Sequence, residues 1–293
     1  GDTSNYATYP YLFDLLAGRA IEYFASNDYS LATIGKKDSK EAAEFLMPSD
    51  RFIVEKIMRN KSRTSAVMSI FQSLLSLHKK NKNIEAFVDI DLKRLKFAYS
   101  NSPNTFNDQM EYANALLYLA NKFNNQPVYS SIAYELANNY YTMGNGYVKG
   151  LNDNLRYFYV IADSICNIAI REYPNLQETN KCRNLKARIN NIRFNMDVSV
   201  AQSPGKSSLA LIEFQNTNKL YFKIVKGDPK AYIDRYNLKN YIERELGKKA
   251  IFTWDLELPN TNDHRQNTAE IKIPELETGN YVIFVSDDPN FNT

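Results

Sequence analysis

Two cysteines, Cys166 and Cys182, are the residues whose type and spacing most clearly suggest covalent chemistry in this chain. They lie eight residues on either side of Pro174, in two segments with helical periodicity. If these helices turn near Pro174 and run antiparallel, the two thiols face each other at a separation that a disulfide can bridge. Such a bond would close a loop of about 17 residues and stabilise the fold by about 3 kcal/mol in the chain-entropy model. The alternative is a pair of small, buried, reduced thiols in a helical core.

The two histidines belong to no recognisable catalytic or metal-binding pattern. His78 lies on the apolar face of a predicted helix near its C-terminus, where a cation or a core histidine is favoured. His264 lies in the polar stretch NTNDHRQN. Neither has a Cys, an Asp or a second His at catalytic or ligand spacing, so we interpret both as structural. With only two Cys and two His in the chain, zinc and haem sites are nearly excluded, and we predict no cofactor.

Two further patterns imitate functional motifs. Asp89, Asp91, Lys93 and Arg94 place two carboxylates and two bases on one predicted helix, where such pairs contribute about 0.2–0.5 kcal/mol each. Acid–base catalysis would need a pocket and two different environments, and the sequence indicates neither. The stretch 144–146, Gly-Asn-Gly, is not a phosphate loop, because no strand precedes it and no Lys-Ser/Thr follows. We predict instead that its glycines end a helix by adopting positive φ, and that the chain is not an enzyme.

The composition is that of an ordinary globular protein with room for two domains. The chain has 293 residues, of which 44% are hydrophobic, and its 21 Tyr and 16 Phe alone supply a sizeable core, which excludes general disorder. A formal charge of +3 is too near neutral to indicate nucleic acid or an anionic membrane surface as a partner. No apolar run approaches the roughly 18–20 residues of a membrane-spanning helix, so we predict no transmembrane segment.

Residues 1–193 have the periodicity of helices. The clearest stripe lies within Thr64–Lys80, where apolar side chains recur every three or four residues and His78 continues the stripe. Two later stretches, SSIAYELANNYYTMGN and YVIADSICNIAIREYPNLQETNKC, repeat small and aromatic positions of the tetratricopeptide type, without a strict register. We therefore predict an all-α, irregular tetratricopeptide-like helical array for the first domain.

Residues 194–293 change to a period of two. Six short segments rich in β-branched and aromatic residues are predicted strands: Met196–Ala201, Ser208–Phe214, Lys219–Lys226, Lys249–Glu257, Thr268–Ile273 and Tyr281–Ser286. Lys230–Leu246 has helical spacing and is predicted to be an inserted helix. The pattern favours a macroglobulin- or fibronectin-III-like β-sandwich with a helical insertion. Since such a sandwich usually has about seven strands, we expect this domain to be truncated before its last strand.

The order of these segments resembles the amino-terminal region of the bacterial alpha-2-macroglobulin family. Five stretches carry the resemblance: YLFDLLAGRAIEYF, IFQSLLSLHKKNKNIEAFVDIDLKRLKFAY, the repeat-like AYELANNYY with IREYPNLQETNKCRNLKARI, LALIEFQNTNKLYFKIVK, and AEIKIPELETGNYVIFVSDDPNF. Members of the family are several times longer than this chain. The first residues, GDTSNYATYP, have neither the basic nor the apolar region of a signal peptide, and Gly1 has the character of a tag remnant. We therefore expect the chain to be a fragment of a longer protein.

The resemblance implies a protein of the cell envelope, periplasmic or anchored in the outer membrane, that traps a protease after a bait segment is cut. Some members use a thioester built from Cys-x-Glu-Gln, but here Cys166 is followed by NIA and Cys182 by RNL. No bait segment can be assigned either. The chain is then expected to be a non-catalytic scaffold whose partners are the remainder of the same polypeptide and, through the full-length protein, proteases. An oxidising envelope would favour the disulfide between the two cysteines.

Two alternative functions stay open. Helical-repeat surface lipoproteins that bind glycans share the abundance of Asn and Tyr, because aromatic rings stack on sugars and amides hydrogen bond to hydroxyls. Against this hypothesis, the single Trp254 lies in a predicted strand, and Tyr112, Tyr134 and Tyr140 lie on helical stripes where core packing explains them. The other alternative is an adaptor that binds a partner peptide in the concave face of the helical array.

Overall fold

A computed structural model describes residues 9–25, 39–57, 62–199, 203–228 and 238–292 of the chain. Within them the fold is mixed, with helices first and antiparallel strands second, as the change of periodicity predicts. The helices are α1 Leu12–Ala25, α2 Ser39–Glu44, α3 Ser49–Val54, α4 Arg63–Lys80, α5 Ile84–Asn101, α6 Phe106–Lys122, α7 Tyr129–Gly144, α8 Phe158–Glu172, α9 Thr179–Ile189 and α10 Leu238–Leu246, with a 3-10 turn at Asp153–Leu155. The strands are β1 Arg193–Val198, β2 Ser208–Gln215, β3 Lys219–Lys226, β4 Phe252–Glu257, β5 Asn267–Ile273 and β6 Tyr281–Ser286.

Polar residues placed directly before the helices set where three of them begin. Ser62 caps α4 by accepting a hydrogen bond from the backbone N–H of Ser65, whose own hydroxyl oxygen accepts from the N–H of Ser62. Asn83 caps α5, and Thr105 and Asp108 form a reciprocal capping box at the start of α6. Each cap satisfies backbone donors that the helix leaves without partners, so these starts follow from local sequence.

The chain divides into two compact units, Gly1–Ala187 and Arg188–Thr293. The boundary predicted after residue 193 therefore lies six residues after the boundary observed at Ala187. In the first unit, successive helices from α4 to α8 pack on their neighbours, and α1 packs on α4. Val67, Leu75, Leu95 and Leu116 are completely buried between them.

The second unit contains two three-stranded antiparallel sheets. Their strand orders are β1-β2-β5 and β4-β3-β6. In the first sheet Phe194 lies opposite Phe214, and in the second Phe222 lies between Trp254 and Val285. Alternate residues of both sheets meet in one hydrophobic cluster: Ala210, Ile212, Phe214, Leu220, Phe222, Ile224, Leu258, Ile271 and Ile273. The buried residues of the central strands β2 and β3 mostly alternate with less buried ones, as expected for strands that pack on one face.

Two predictions about elements need correction or restriction. Helix α7 does end at Gly144, but neither Gly144 nor Gly146 has positive φ, so the predicted left-handed termination is wrong. The following Asn145 stays in the right-handed helical region, and its N–H bonds to carbonyls of the last turn. The inserted helix is observed as α10, and the part of its prediction over residues 230–237 lies outside the described residues.

Candidate functional site

Cys166 of α8 and Cys182 of α9 are completely buried free thiols that lie close enough for each to shift the pKa of the other. The turn between the two helices brings them together: the Thr179 hydroxyl donates to the carbonyl of Tyr173 at 2.7 Å, and Arg183 donates to the carbonyl of Pro174. The spacing around Pro174 predicts that the two thiols face each other, and their mutual effect on acidity is consistent with close approach. The disulfide itself stays a prediction.

The contact changes the acidity of both thiols. A hydrogen bond from Cys166 stabilises a thiolate on Cys182, which lowers the pKa of Cys182 despite the burial that opposes it. The pKa of Cys166 is raised, first because its thiol donates that hydrogen bond and second because the site is desolvated. A negative charge on the pair is therefore favoured on Cys182 and opposed on Cys166.

His78 has a partner that sequence spacing did not reveal. Its Nε2 lies 2.8 Å from Oδ1 of Asp14, which is 64 residues earlier in the chain, and both side chains are buried. Tyr9 and Tyr11 lie against the imidazole, with ring centroids at 6.4 and 6.0 Å. The pair ties α1 to α4 in the core, while His78 Nδ1 has no hydrogen-bond partner within the described residues. The structural role of His78 stays a prediction, and its acidic partner Asp14 lies too far along the chain for sequence spacing to indicate it.

The four charged residues of α5 divide into one exposed pair and one buried pair. Lys93 and Asp89 form the predicted i,i+4 ion pair at 2.7 Å on the surface. The other pair is not a surface pair, because Asp91 and Arg94 are both completely buried. Arg94 Nε donates to Asp91 at 2.6 Å, and its Nη atoms donate to the carbonyls of Phe45 and Met47 at 2.7 and 2.9 Å. Arg94 therefore anchors the segment that follows α2.

Asp50 of α3 is the centre of a second polar cluster in the helical unit. Its carboxylate accepts hydrogen bonds from Lys122 at 2.7 Å, from Lys79 at 3.0 Å and from the Tyr118 hydroxyl. These hydrogen bonds hold the pKa of Asp50 well below its ordinary value, and the bond from Lys122 has the largest effect. The same contact with Asp50 raises the pKa of Tyr118 to about 12. The cluster joins three helices and places two ammonium groups around one carboxylate.

In the second unit, His264 lies in a polar pocket at one end of the first sheet. Its Nδ1 is 2.9 Å from Oδ1 of Asn216, and its carbonyl accepts from Gln215 at 2.8 Å. Asn216 in turn donates to the carbonyls of Ile189 and Asn191. The pocket measures about 400 Å³ and is lined mainly by asparagine and threonine side chains. His264 therefore holds a loop in place, in keeping with the structural role expected for it.

A recess between α5, α6 and α7 brings together polar and aromatic groups from three helices. We call it the tyrosine recess and define it by Lys96, Tyr99, Tyr112, Glu135, Asn138 and Asn139, which line a space of about 270 Å³. The rings of Tyr99 and Tyr112 stack in parallel with centroids 4.8 Å apart. Lys96 and Glu135 form an ion pair at 2.6 Å. Tyr112 is only 5% exposed, in keeping with the expectation that it packs in the core. That it also lines a recess was not expected.

The other aromatic residues singled out in the sequence have packing partners. Tyr140 contacts Phe158 edge to face at 5.3 Å, and the Lys181 ammonium lies 5.6 Å from the ring centroid of Tyr134. Trp254 in β4 stacks on Phe222 at 4.9 Å. These contacts account for the three residues through packing.

Among the described residues, no group of three or more His, Cys, Asp or Glu side chains is placed to hold a metal ion. Among the helices of the same residues, none combines the length and the apolar character needed to cross a bilayer.

In comparisons with models of protein families, with curated proteins and with solved structures, no match to the chain was found. The resemblance to the alpha-2-macroglobulin family therefore stays a hypothesis that rests on the sequence stretches given above.

Proposed function

We propose that this chain is a non-catalytic amino-terminal scaffold of a large cell-envelope protein of the alpha-2-macroglobulin type, in which protease inhibition is carried out by segments outside it. In this proposal the first unit is an irregular tetratricopeptide-like array. The second is a macroglobulin- or fibronectin-III-like β-sandwich with α10 as its insertion. The cluster of apolar side chains shared by the two sheets supports the sandwich, since facing sheets bury alternate residues in one core.

The observation that carries the proposal is the edge of β6. Within the described residues β6 pairs with β3 on one side and has no ladder partner on the other. Its sequence, YVIFVS, contains none of the charged or proline residues that normally protect an edge, whereas the edge strands β1, β4 and β5 all carry charged residues. Such an edge suits pairing with a further strand, and we propose that the remainder of the same polypeptide supplies it.

The test compares this chain with the longer polypeptide that contains it. After limited cleavage by an added protease, we expect the longer protein to retain the protease in a form that cleaves a small peptide substrate but not a large protein substrate. The chain alone should retain no protease on size-exclusion chromatography. Protease retained by the chain alone would contradict the division of labour, and a longer protein that retains none would contradict the family hypothesis.

A further inference from the structure

Helix α1 turns an apolar face to solvent. Within the described residues, α4 is the helix against which α1 mainly packs. Leu12 is 71% exposed, and four further large side chains of α1 are 45–55% exposed: Phe13, Leu15, Leu16 and Tyr23. A helix at the end of a stack normally has a polar outer face, which keeps the stack soluble. A contiguous apolar face in this position indicates a surface for association.

The exposed area fits a second copy of the chain. These five side chains expose on the order of 500 Å², because a large apolar side chain has about 150–250 Å² of surface. Two copies that cover each other's α1 would bury about 1,000 Å² in total, which is close to the lower limit for a specific interface between proteins. We therefore expect a weak dimer that forms as the concentration rises.

The charges of α1 suit contact between two identical surfaces. Its exposed charged residues are Arg19 and Glu22, one of each sign. Arg19 follows Leu15 and Leu16 by four and three residues, so it lies on the same side of the helix as they do. If a two-fold axis runs the two copies of α1 antiparallel, Arg19 of each copy can lie near Glu22 of the other. An anionic membrane would instead favour an excess of Lys and Arg on this face.

The same face has a projection and a groove. An apolar groove of about 450 Å³ runs between α1 and α4, and its lining includes Phe13, Leu16, Ala20, Phe24 and Ile70. Leu12, the most exposed of the five side chains, does not line this groove. We propose that α1 is a self-association surface, in which Leu12 of each copy packs into the groove of the second copy. This dimer is additional to the proposed scaffold role, and either can fail without the other.

Sedimentation equilibrium of the whole chain at about 1–300 μM tests the proposal, because so small an interface implies a Kd on the order of 10–100 μM. The mean mass should rise with concentration from that of one chain toward that of two. Leu12→Glu puts a carboxylate into each groove and should raise the Kd at least about ten-fold. Leu151→Glu is the matched control: Leu151 is 79% exposed in the first unit and lies outside this face, so the Kd should not change.

An exchange of charges tests the orientation of the two helices. Arg19→Glu places like charges opposite each other, so it should raise the Kd about three-fold or more. Arg19→Glu combined with Glu22→Arg restores opposite charges and should return the Kd to the wild-type value. If the combined variant stays as weak as Arg19→Glu alone, the antiparallel arrangement is wrong.

Four further results would overturn the proposal. Equal effects of Leu12→Glu and Leu151→Glu would place the contact elsewhere. Masses that exceed two chains and keep rising would show open-ended association. A chain that stays single at every concentration, but loses stability to urea in Leu12→Glu, would show that another part of the same chain covers the face. Single chains that bind phosphatidylglycerol vesicles, and lose this binding in Leu12→Glu, would assign the face to a membrane surface.

Discussion

At the residue scale, two side chains that look alike in the sequence behave differently because of what surrounds them. Lys93 and Arg94 are adjacent bases on α5, each spaced to pair with an aspartate. Lys93 pairs with Asp89 in solvent, whereas Arg94 is buried, pairs with Asp91 and stacks 4.4 Å above the ring of Phe52. A planar guanidinium with several donors suits the second environment, since it can bond to a carboxylate and two carbonyls at once.

We predict that Arg94→Met lowers the free energy of unfolding by about 3–5 kcal/mol, because it leaves the Asp91 carboxylate buried without a cation. Urea unfolding followed by circular dichroism measures the loss. Lys93→Met is the matched control and should change the stability by no more than about 1 kcal/mol, since its ion pair is exposed. Replacing both partners, Asp91→Asn with Arg94→Met, should recover part of the loss. Equal effects of Arg94→Met and Lys93→Met would contradict the distinction.

Asp50 gives a prediction about acid stability. Because its pKa in the fold lies below the ordinary value of 3.8, the ionised carboxylate stabilises the fold above about pH 4. That contribution is lost as the pH falls through the lowered pKa. We expect Asp50→Asn to lower the free energy of unfolding at pH 7 by about 1 kcal/mol, a modest value because the cluster is partly exposed to solvent.

Urea unfolding at pH 7 and below pH 4 tests this prediction: the difference between wild type and Asp50→Asn should shrink on acidification. Glu172→Gln is the control, because within the described residues the only ion pair of Glu172 is with the neighbouring Arg171 on the surface, at 2.8 Å. A difference that is the same at both pH values would show that Asp50 does not act through its charge.

At the element scale, the pair α8 and α9 shows how a short turn decides which side chains meet. Tyr173 and Pro174 end α8, and their carbonyls accept hydrogen bonds from the first turns of α9. This fixes the two helices so that Cys166 and Cys182 come into contact in the core. A bond between the sulfurs would replace a weak thiol contact with a covalent link between the two helices.

We predict that the oxidised chain contains a disulfide between Cys166 and Cys182 and that it is more stable than the reduced chain by about 3 kcal/mol. Mass spectrometry after alkylation detects the bond, and urea unfolding with and without reductant measures its effect. The variant with Cys166→Ser and Cys182→Ser should show no dependence on reductant. Two alkylated thiols after exposure to a glutathione buffer of oxidising composition would contradict the prediction.

At the scale of the whole molecule, each unit has its own buried core. The first is built from helices whose completely buried side chains include Val67, Leu95 and Leu116. The second is built around the sheet residues that surround Phe222. Units with separate cores can unfold in separate steps.

We therefore predict two unfolding transitions in urea. Trp254 is the only tryptophan of the chain, so its fluorescence reports the second unit, while far-UV circular dichroism reports mainly the helices of the first. The urea midpoints of the two signals should differ. Asp50→Asn should shift the midpoint measured by circular dichroism and leave the midpoint measured by Trp254 fluorescence unchanged. Coincident midpoints that move together in the variant would show a single cooperative unit.

The sequence alone determined which segments form helices and strands, because their causes are local. The stripe in Thr64–Lys80 predicted α4 to within one residue, and Lys219–Lys226 was predicted with its observed bounds. The spacing around Pro174 also predicted that the two cysteines meet. In each case the residues that decide the outcome lie within a few turns of one another.

Only the tertiary structure decided which polar side chains are buried and what they contact. The partner of His78 is 64 residues away, and the carbonyl of Phe45 that Arg94 binds is 49 residues away. The tyrosine recess depends on three helices, and no periodicity links Tyr99 to Glu135. Helical periodicity assigns a residue to a face, but whether that face meets water, a carbonyl or a recess depends on which helices pack beside it.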